Sequence, residues 1–180
     1  MAGIKTLGTP RATADQLNAA PILLVAVDLA PAMEPLAQAL LHAAERILHI
    51  QPDARMACIN VMPPAKRGMA GLTDSTGDNA HVARLLGLRD WARTLDLPDD
   101  RLTFSVLENA DPASAILDHA GGIGADHILM GARGHSTTRR FLGSVSARVV
   151  AEAAASVTVI RRPEPREPAG LAADQPPNQP

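Results

Sequence analysis

Aromatic residues are almost missing from this chain: two Phe, one Trp and no Tyr make up 2% of 180 residues. Any core must therefore be built from Val, Ile, Leu, Ala and Met. Cysteine occurs once, at Cys58, which excludes an internal disulfide. Cys58 sits in an apolar run and reads as a small buried hydrophobe rather than a redox group. Charge of one sign is not in excess either; the net charge of −2 argues against a nucleic-acid or polybasic membrane surface. No apolar stretch approaches the roughly 20 residues that span a bilayer. The N-terminus lacks a continuous apolar signal core, which favours the cytoplasm. What is present is 46% apolar residues, enough at this length for one domain with one core. No internal repeat is visible, so a single module is expected.

Along the chain, residues 1–20 carry Gly, Thr, Pro and Asn without period and are expected to form a flexible N-terminal arm. Ile22 to Val27 is a continuous apolar run, as in a parallel strand covered on both faces. Asp28 falls where that strand should end. Two roles are open to it there: capping the next helix, or touching a ligand at the carboxyl end of a sheet. Met33, Leu36, Ala37, Leu40, Leu41, Ala44, Ile47 and Leu48 recur at three and four residues, which predicts an amphipathic helix, broken by Pro52-Asp53. His42 and His49 on it have no third ligand and read as solvated. Met56 to Val61 predicts a second strand, stopped by Pro63-Pro64. Residues 65–78 form a polar loop, long for a compact domain, and fit either a lid or a disordered segment. Val82, Leu85, Leu86 and Trp91 predict a helix between Asn79 and Leu95, and Leu102 to Leu107 a third strand. Asp111-Pro112 is a helix start; Ala113, Ile116, Leu117 and Ala120 should face inward, and Gly121-Gly122 should end the helix. From residue 163 to 180 the tail is rich in Pro, Glu, Gln and Ala, with little to bury, and is expected to be disordered.

The remaining stretch carries the chemistry. Ile128-Leu129-Met130 predicts a buried strand. Gly131-Ala132-Arg133-Gly134 follows, then Gly143-Ser144-Val145-Ser146, then a helix from Ala147 to Ala155 with Val149, Val150 and Ala153 toward the core. Glycine suits a positive φ or a ligand that must approach the backbone. The first turn of the next helix offers free N–H groups and the positive end of its dipole, which suit a phosphate. Ser144 and Ser146 add hydroxyls; Arg133, His135, Arg139 and Arg140 add further donors. The spacing is neither a Walker A loop nor the Gly-x-Gly-x-x-Gly dinucleotide fingerprint. A surface loop whose glycines only turn the chain is the other reading. A fifth strand, Val157 to Ile160, closes the pattern.

The Gly-x-x-Gly, spacer, Gly-Ser pattern resembles the ATP-binding signature of the universal stress protein family. The spacer, His135 to Leu142, holds eight residues, one fewer than the family pattern. Asp126 to Gly134 is similar to the family's Ala-Asp-x-Ile-Val-Met-Gly-x-x-Gly, and Ser156 to Arg161 to its closing strand. The resemblance implies a domain over residues 21–162. Strands alternating with helices already point to an α/β fold with right-handed crossovers. The resemblance makes it a doubly wound three-layer sandwich around a five-stranded parallel sheet of order 3-2-1-4-5, of the adenine nucleotide alpha hydrolase-like type. In that order the first and fourth strands are neighbours whose connections leave on opposite sides, so a crevice opens between Asp28 and Gly131.

The resemblance also implies roles. Ala26, Val27 and Asp28 would line an adenosine pocket, with Val61 on the adenine. Met130 and Gly131 would meet ribose and phosphates through the backbone, and Gly134, Gly143, Ser144, Val145 and Ser146 would cradle the phosphates. Arg133 is added on chemical grounds, with Arg139 and Arg140, because guanidinium groups pair phosphate oxygens; a solvated loop face is the alternative. The implied ligand is ATP, with or without magnesium. Val157, Val159 and Ile160 leave the fifth strand an apolar edge, which invites pairing with another chain, and the family commonly dimerises there. The expected protein is a homodimeric nucleotide-binding regulatory module of the stress response. A slow ATPase and a nucleotide-free scaffold stay open. No Asp or Glu lies between Gly131 and Ala151, and a phosphoryl-transfer enzyme needs such groups, which speaks for binding over turnover.

Overall fold

The computed structural model describes residues 20–64, 79–132 and 142–161. The long loop 65–78, the C-terminal tail and all of the expected N-terminal arm except Ala20 lie outside the described residues. Five parallel strands form one sheet in the order β3-β2-β1-β4-β5, as the resemblance implied. β1 spans Ile22–Ala26, β2 Arg55–Met62, β3 Leu102–Glu108, β4 His127–Gly131 and β5 Ser156–Ile160. The helices between them are α1 Glu34–Ile50, α2 Ala80–Ala92, α3 Pro112–Ile123 and α4 Ser144–Glu152.

β1 is apolar at every position, and β2 and β4 largely so, because both faces of these strands are covered. Alternate residues divide between two cores. Leu23, Val25, Met56, Cys58 and Leu129 meet α1 and α2 on one face; Leu24, Ala57, Ile59, Ile128 and Met130 meet α3 and α4 on the other. The register that aligns them pairs Val25 with Cys58 on one side and with Leu129 on the other. Cys58 is fully buried, and burial pushes its thiol up to about 12, so it has negligible thiolate at neutral pH. α1 buries the expected stripe of Leu36, Ala37, Leu40, Leu41, Ala44 and Leu48. A 3-10 turn at Pro31–Met33 precedes it, so Met33 lies just ahead of the helix.

The helix expected between Asn79 and Leu95 is present as α2. On α2 the buried residues are Leu88, Trp91 and Ala92, whereas Val82 and Leu86 are 49% and 59% exposed. Leu86 stands about 200° round the helix from Leu88, so both cannot face the sheet. Two other expectations need correction. α3 does not stop at Gly121-Gly122; it continues to Ile123 and ends at Gly124, whose φ of 65° and ψ of 44° close the helix in the left-handed region. Among the described residues, only there is glycine's conformational freedom used. α4 begins at Ser144 rather than Ala147 and ends at Glu152, which leaves Val150 46% exposed while Val149 is buried.

Candidate functional site

β1 and β4 are adjacent, with Ala26 opposite Met130. After β1 the chain turns to α1 on one face; after β4 it goes to α4 on the other. The diverging connections leave a cleft at the carboxyl rim of the sheet. Ala26, Val27 and Asp28 form its floor at the end of β1, with Ile59, Asn60 and Val61 from β2 and Met130 and Gly131 from β4. Met33, Leu36 and Leu40 wall one side, and Pro112, Ile116, Val145 and Ser146 the other. The cleft holds about 730 Å³ of unfilled space followed out to its mouth, about 110 Å³ of it open to water centres. The enclosed part is smaller than the roughly 300–1,000 Å³ of small-molecule sites, and the rest of the space is open to solvent at the mouth.

Of the residues singled out from the sequence, Ala26, Val27, Asp28, Val61, Met130, Gly131, Val145 and Ser146 meet at this cleft. Gly143 and Ser144 do not line it but stand at the N-terminus of α4, Gly143 as its cap residue. Arg133 and Gly134 lie outside the described residues, as do His135, Arg139 and Arg140. Asp28 Oδ1 accepts from the Ala30 N–H at 3.1 Å, which tightens the turn into Pro31. The turn-forming role is therefore present, at a residue that is also on the cleft floor.

Gly131 has a packing reason of its own. A Cβ there would fall 2.5 Å from Leu36 Cδ2 and 2.9 Å from its Cγ, so α1 seats against the strand end only because that position is bare. α4 begins without a side-chain cap. The Ser146 hydroxyl donates to the Gly143 carbonyl at 3.1 Å, which leaves the first turn without a side-chain acceptor among the described residues. On the same wall, Asp111 caps α3 by accepting from the N–H groups of Ala113 and Ser114. Arg148 of α4 pairs with the same carboxylate and reaches Glu152 at 3.0 Å. The Arg148 hydrogen bond, then those of Ser114, hold Asp111 below the usual carboxylate range. This pair ties the α3 and α4 walls together.

Asn60 is the cleft residue that sequence reasoning passed over. It is 2% exposed; its Nδ2 donates to the Val27 carbonyl at 2.8 Å and its Oδ1 accepts from Arg84 Nη1 at 2.8 Å. The available signal was a lone amide inside the apolar run Met56 to Met62. Among the described residues no group of His, Cys, Asp and Glu is arranged to hold a metal ion. Nor is any helix there long and apolar enough to cross a membrane.

Comparison with protein families matches residues 21–161 to the universal stress protein family. Comparison with curated proteins found no match. Among solved structures, the universal stress protein UspA of Lactobacillus plantarum is similar at 26% identity and a TM-score of 0.57, covering 80% of this chain and 100% of that one. A universal stress protein family member from Arabidopsis thaliana, solved with AMP bound, is 20% identical with a TM-score of 0.58, over 83% of this chain and 97% of that one. A universal stress protein solved in complex with cAMP is 22% identical with a TM-score of 0.57, over 81% and 99%. With the family pattern matched from β1 to the end of β5 and the strand order in agreement, this chain belongs to the universal stress protein family.

Proposed function

We propose that the cleft binds an adenine nucleotide, ATP above all, and that occupancy regulates a homodimeric module of the stress response in the cytoplasm. The observation that carries this reading is the convergence of Ala26 to Asp28, Val61 and Met130-Gly131 on one cleft that opens toward the uncapped N-terminus of α4. An adenine ring would lie in the apolar part, against Val61 and Ile116. Phosphates would lie toward Gly143, Ser144, Val145 and Ser146, where backbone N–H groups and the helix dipole favour an anion. Arg133 and Gly134 would complete the phosphate side. Family membership supports the reading, as do the relatives solved with AMP and cAMP. Dimerisation would use the free edge of β5, at Val157, Val159 and Ile160.

Two measurements test it. Acid denaturation of the purified protein, followed by chromatography, should release ATP; bound ATP should survive hours with magnesium, whereas conversion to ADP would make the protein an enzyme. Calorimetric titration should then compare wild type with Gly143→Val. Gly143 has φ −61° and ψ 158°, extended backbone that any residue adopts, so the change brings no backbone strain. Gly131→Val is less clean, because its side chain would strike Leu36. We expect the added side chain of Gly143→Val to keep phosphate from the backbone N–H groups and so weaken ATP roughly tenfold or more, the worth of a charge-assisted hydrogen bond no longer reached, and to leave adenosine nearly unchanged. Equal ATP affinity in the two proteins would remove the phosphate assignment.

A further inference from the structure

Asn60 and Ser146 are the buried polar side chains among the described residues, and both stand on the wall of the same cleft. Ser146 is accounted for locally, by its bond to Gly143. Asn60 is held from two distant places: the Val27 carbonyl at the end of β1, and Arg84 on α2. Arg84 is half-buried, and among the described residues no carboxylate pairs with it. A guanidinium can only donate. Its contact therefore decides which end of the Asn60 amide is oxygen, and the nitrogen must point to Val27. That nitrogen carries two hydrogens. One meets the Val27 carbonyl; the other has no partner among the described residues. Buried donors find acceptors; Asn60 alternates with Ile59 and Val61 and so stands on the α1–α2 face of the sheet, from which Val27, Ala37 and Leu40 also line the cleft with side chains that offer no acceptor.

We propose that Arg84 is a positioning residue of the cleft. It holds Asn60 with its amide N–H edge toward the bound molecule, so that the cleft selects ligands presenting a hydrogen-bond acceptor, a ring nitrogen or a sugar oxygen, beside Val27. The inference rests on reading the cleft as a nucleotide site, and it adds the group that discriminates within it. Arg84 does not line the cleft; it acts through Asn60. A guanidinium that instead touched phosphate directly would respond to the number of phosphates on the ligand, and one acting through Asn60 would not.

The full-length protein, Arg84→Met, Asn60→Leu and the double variant should be titrated with adenosine, AMP and ATP, well below each melting temperature. Arg84→Met should weaken all three ligands by the same factor, about 5- to 30-fold, as for a buried hydrogen bond lost at one site. It should add no further loss in the Asn60→Leu background, the mark of two residues acting as one unit. In the amide NMR spectrum, the Asn60 side-chain resonances should shift on adding adenosine to wild type but not to Arg84→Met. A loss that grows from adenosine to ATP, losses that multiply in the double variant, or an unchanged affinity in Arg84→Met each overturn the proposal. If Asn60→Leu does not fold, the ligand series on Arg84→Met and the amide resonances decide alone. Wild type that binds none of the three overturns the nucleotide reading of the cleft and this inference with it; wild type that binds while Arg84→Met binds equally well overturns this inference only.

Discussion

His127 opens β4 with its Nε2 2.8 Å from Thr158 Oγ1 on β5, and burial lowers its pKa below the ordinary 6.5. The unfolded chain therefore takes up the proton first as pH falls. The stability that the neutral ring contributes is complete above about 6.5 and declines as pH drops from there toward the folded-state value, below which the dependence flattens. His127→Gln, which keeps a polar partner for Thr158 without titrating, should lose less of its urea midpoint between about pH 7.5 and pH 5.5 than wild type does. Equal losses would mean that another group carries the acid sensitivity. A histidine in a strand is plain in the sequence, but its partner is 31 residues away, and only the pairing of β4 with β5 brings the two together.

α2 shows most clearly where sequence pattern succeeds and fails. α1 was legible because one long apolar stripe stands against charged residues on its other face. α2 has apolar residues all round, so Val82 and Leu86 were as eligible for the core as Leu88, and only packing against β2 and β3 decides. Leu88→Ala should cost about 2–5 kcal/mol, as for a buried leucine that leaves a cavity, while Leu86→Ser should stay within about 0.5 kcal/mol; denaturant unfolding of the two variants compares them. A larger loss at Leu86 would reverse the assignment of faces. The end of α3 was misplaced for a different reason. Two adjacent glycines look like a stop, yet a stop needs a residue with positive φ at the right place, and the chain uses Gly124 for this.

For the whole molecule, strand order was the most legible feature: alternation of strand and helix limits the topologies, and the family pattern selects one. The cleft followed from that order, since it brings Asp28 and Gly131 together. The Arg84–Asn60–Val27 chain did not follow, because no periodicity announces a side-chain bond between α2, β2 and β1. The proposed homodimer belongs to this scale. In β5, the Ser156 N–H donates to Asp126 and the Ile160 carbonyl accepts from Ala132, so the even-numbered residues bond inward to β4. The backbone N–H of Val157 and of Val159 therefore points off the edge. Val159→Pro removes one of these outward donors and no ladder bond, a substitution edge strands tolerate. It should raise the dimer dissociation constant at least tenfold, roughly the worth of one backbone hydrogen bond plus the steric bar to pairing. Light scattering over micromolar concentrations reads it, and an unchanged dimer would move the interface elsewhere.

The single indole of the chain belongs to Trp91, whose Nε1–H donates to the Ala37 carbonyl of α1 at 2.9 Å, and no tyrosine accompanies it. Ala37 also borders the cleft. Near-ultraviolet emission from this protein thus comes from one fluorophore, seated at the seam between two helices and one residue removed from the rim pocket. Quenching and spectral position therefore report how tightly α1 and α2 are closed at that seam, an optical readout of the contact without any attached label.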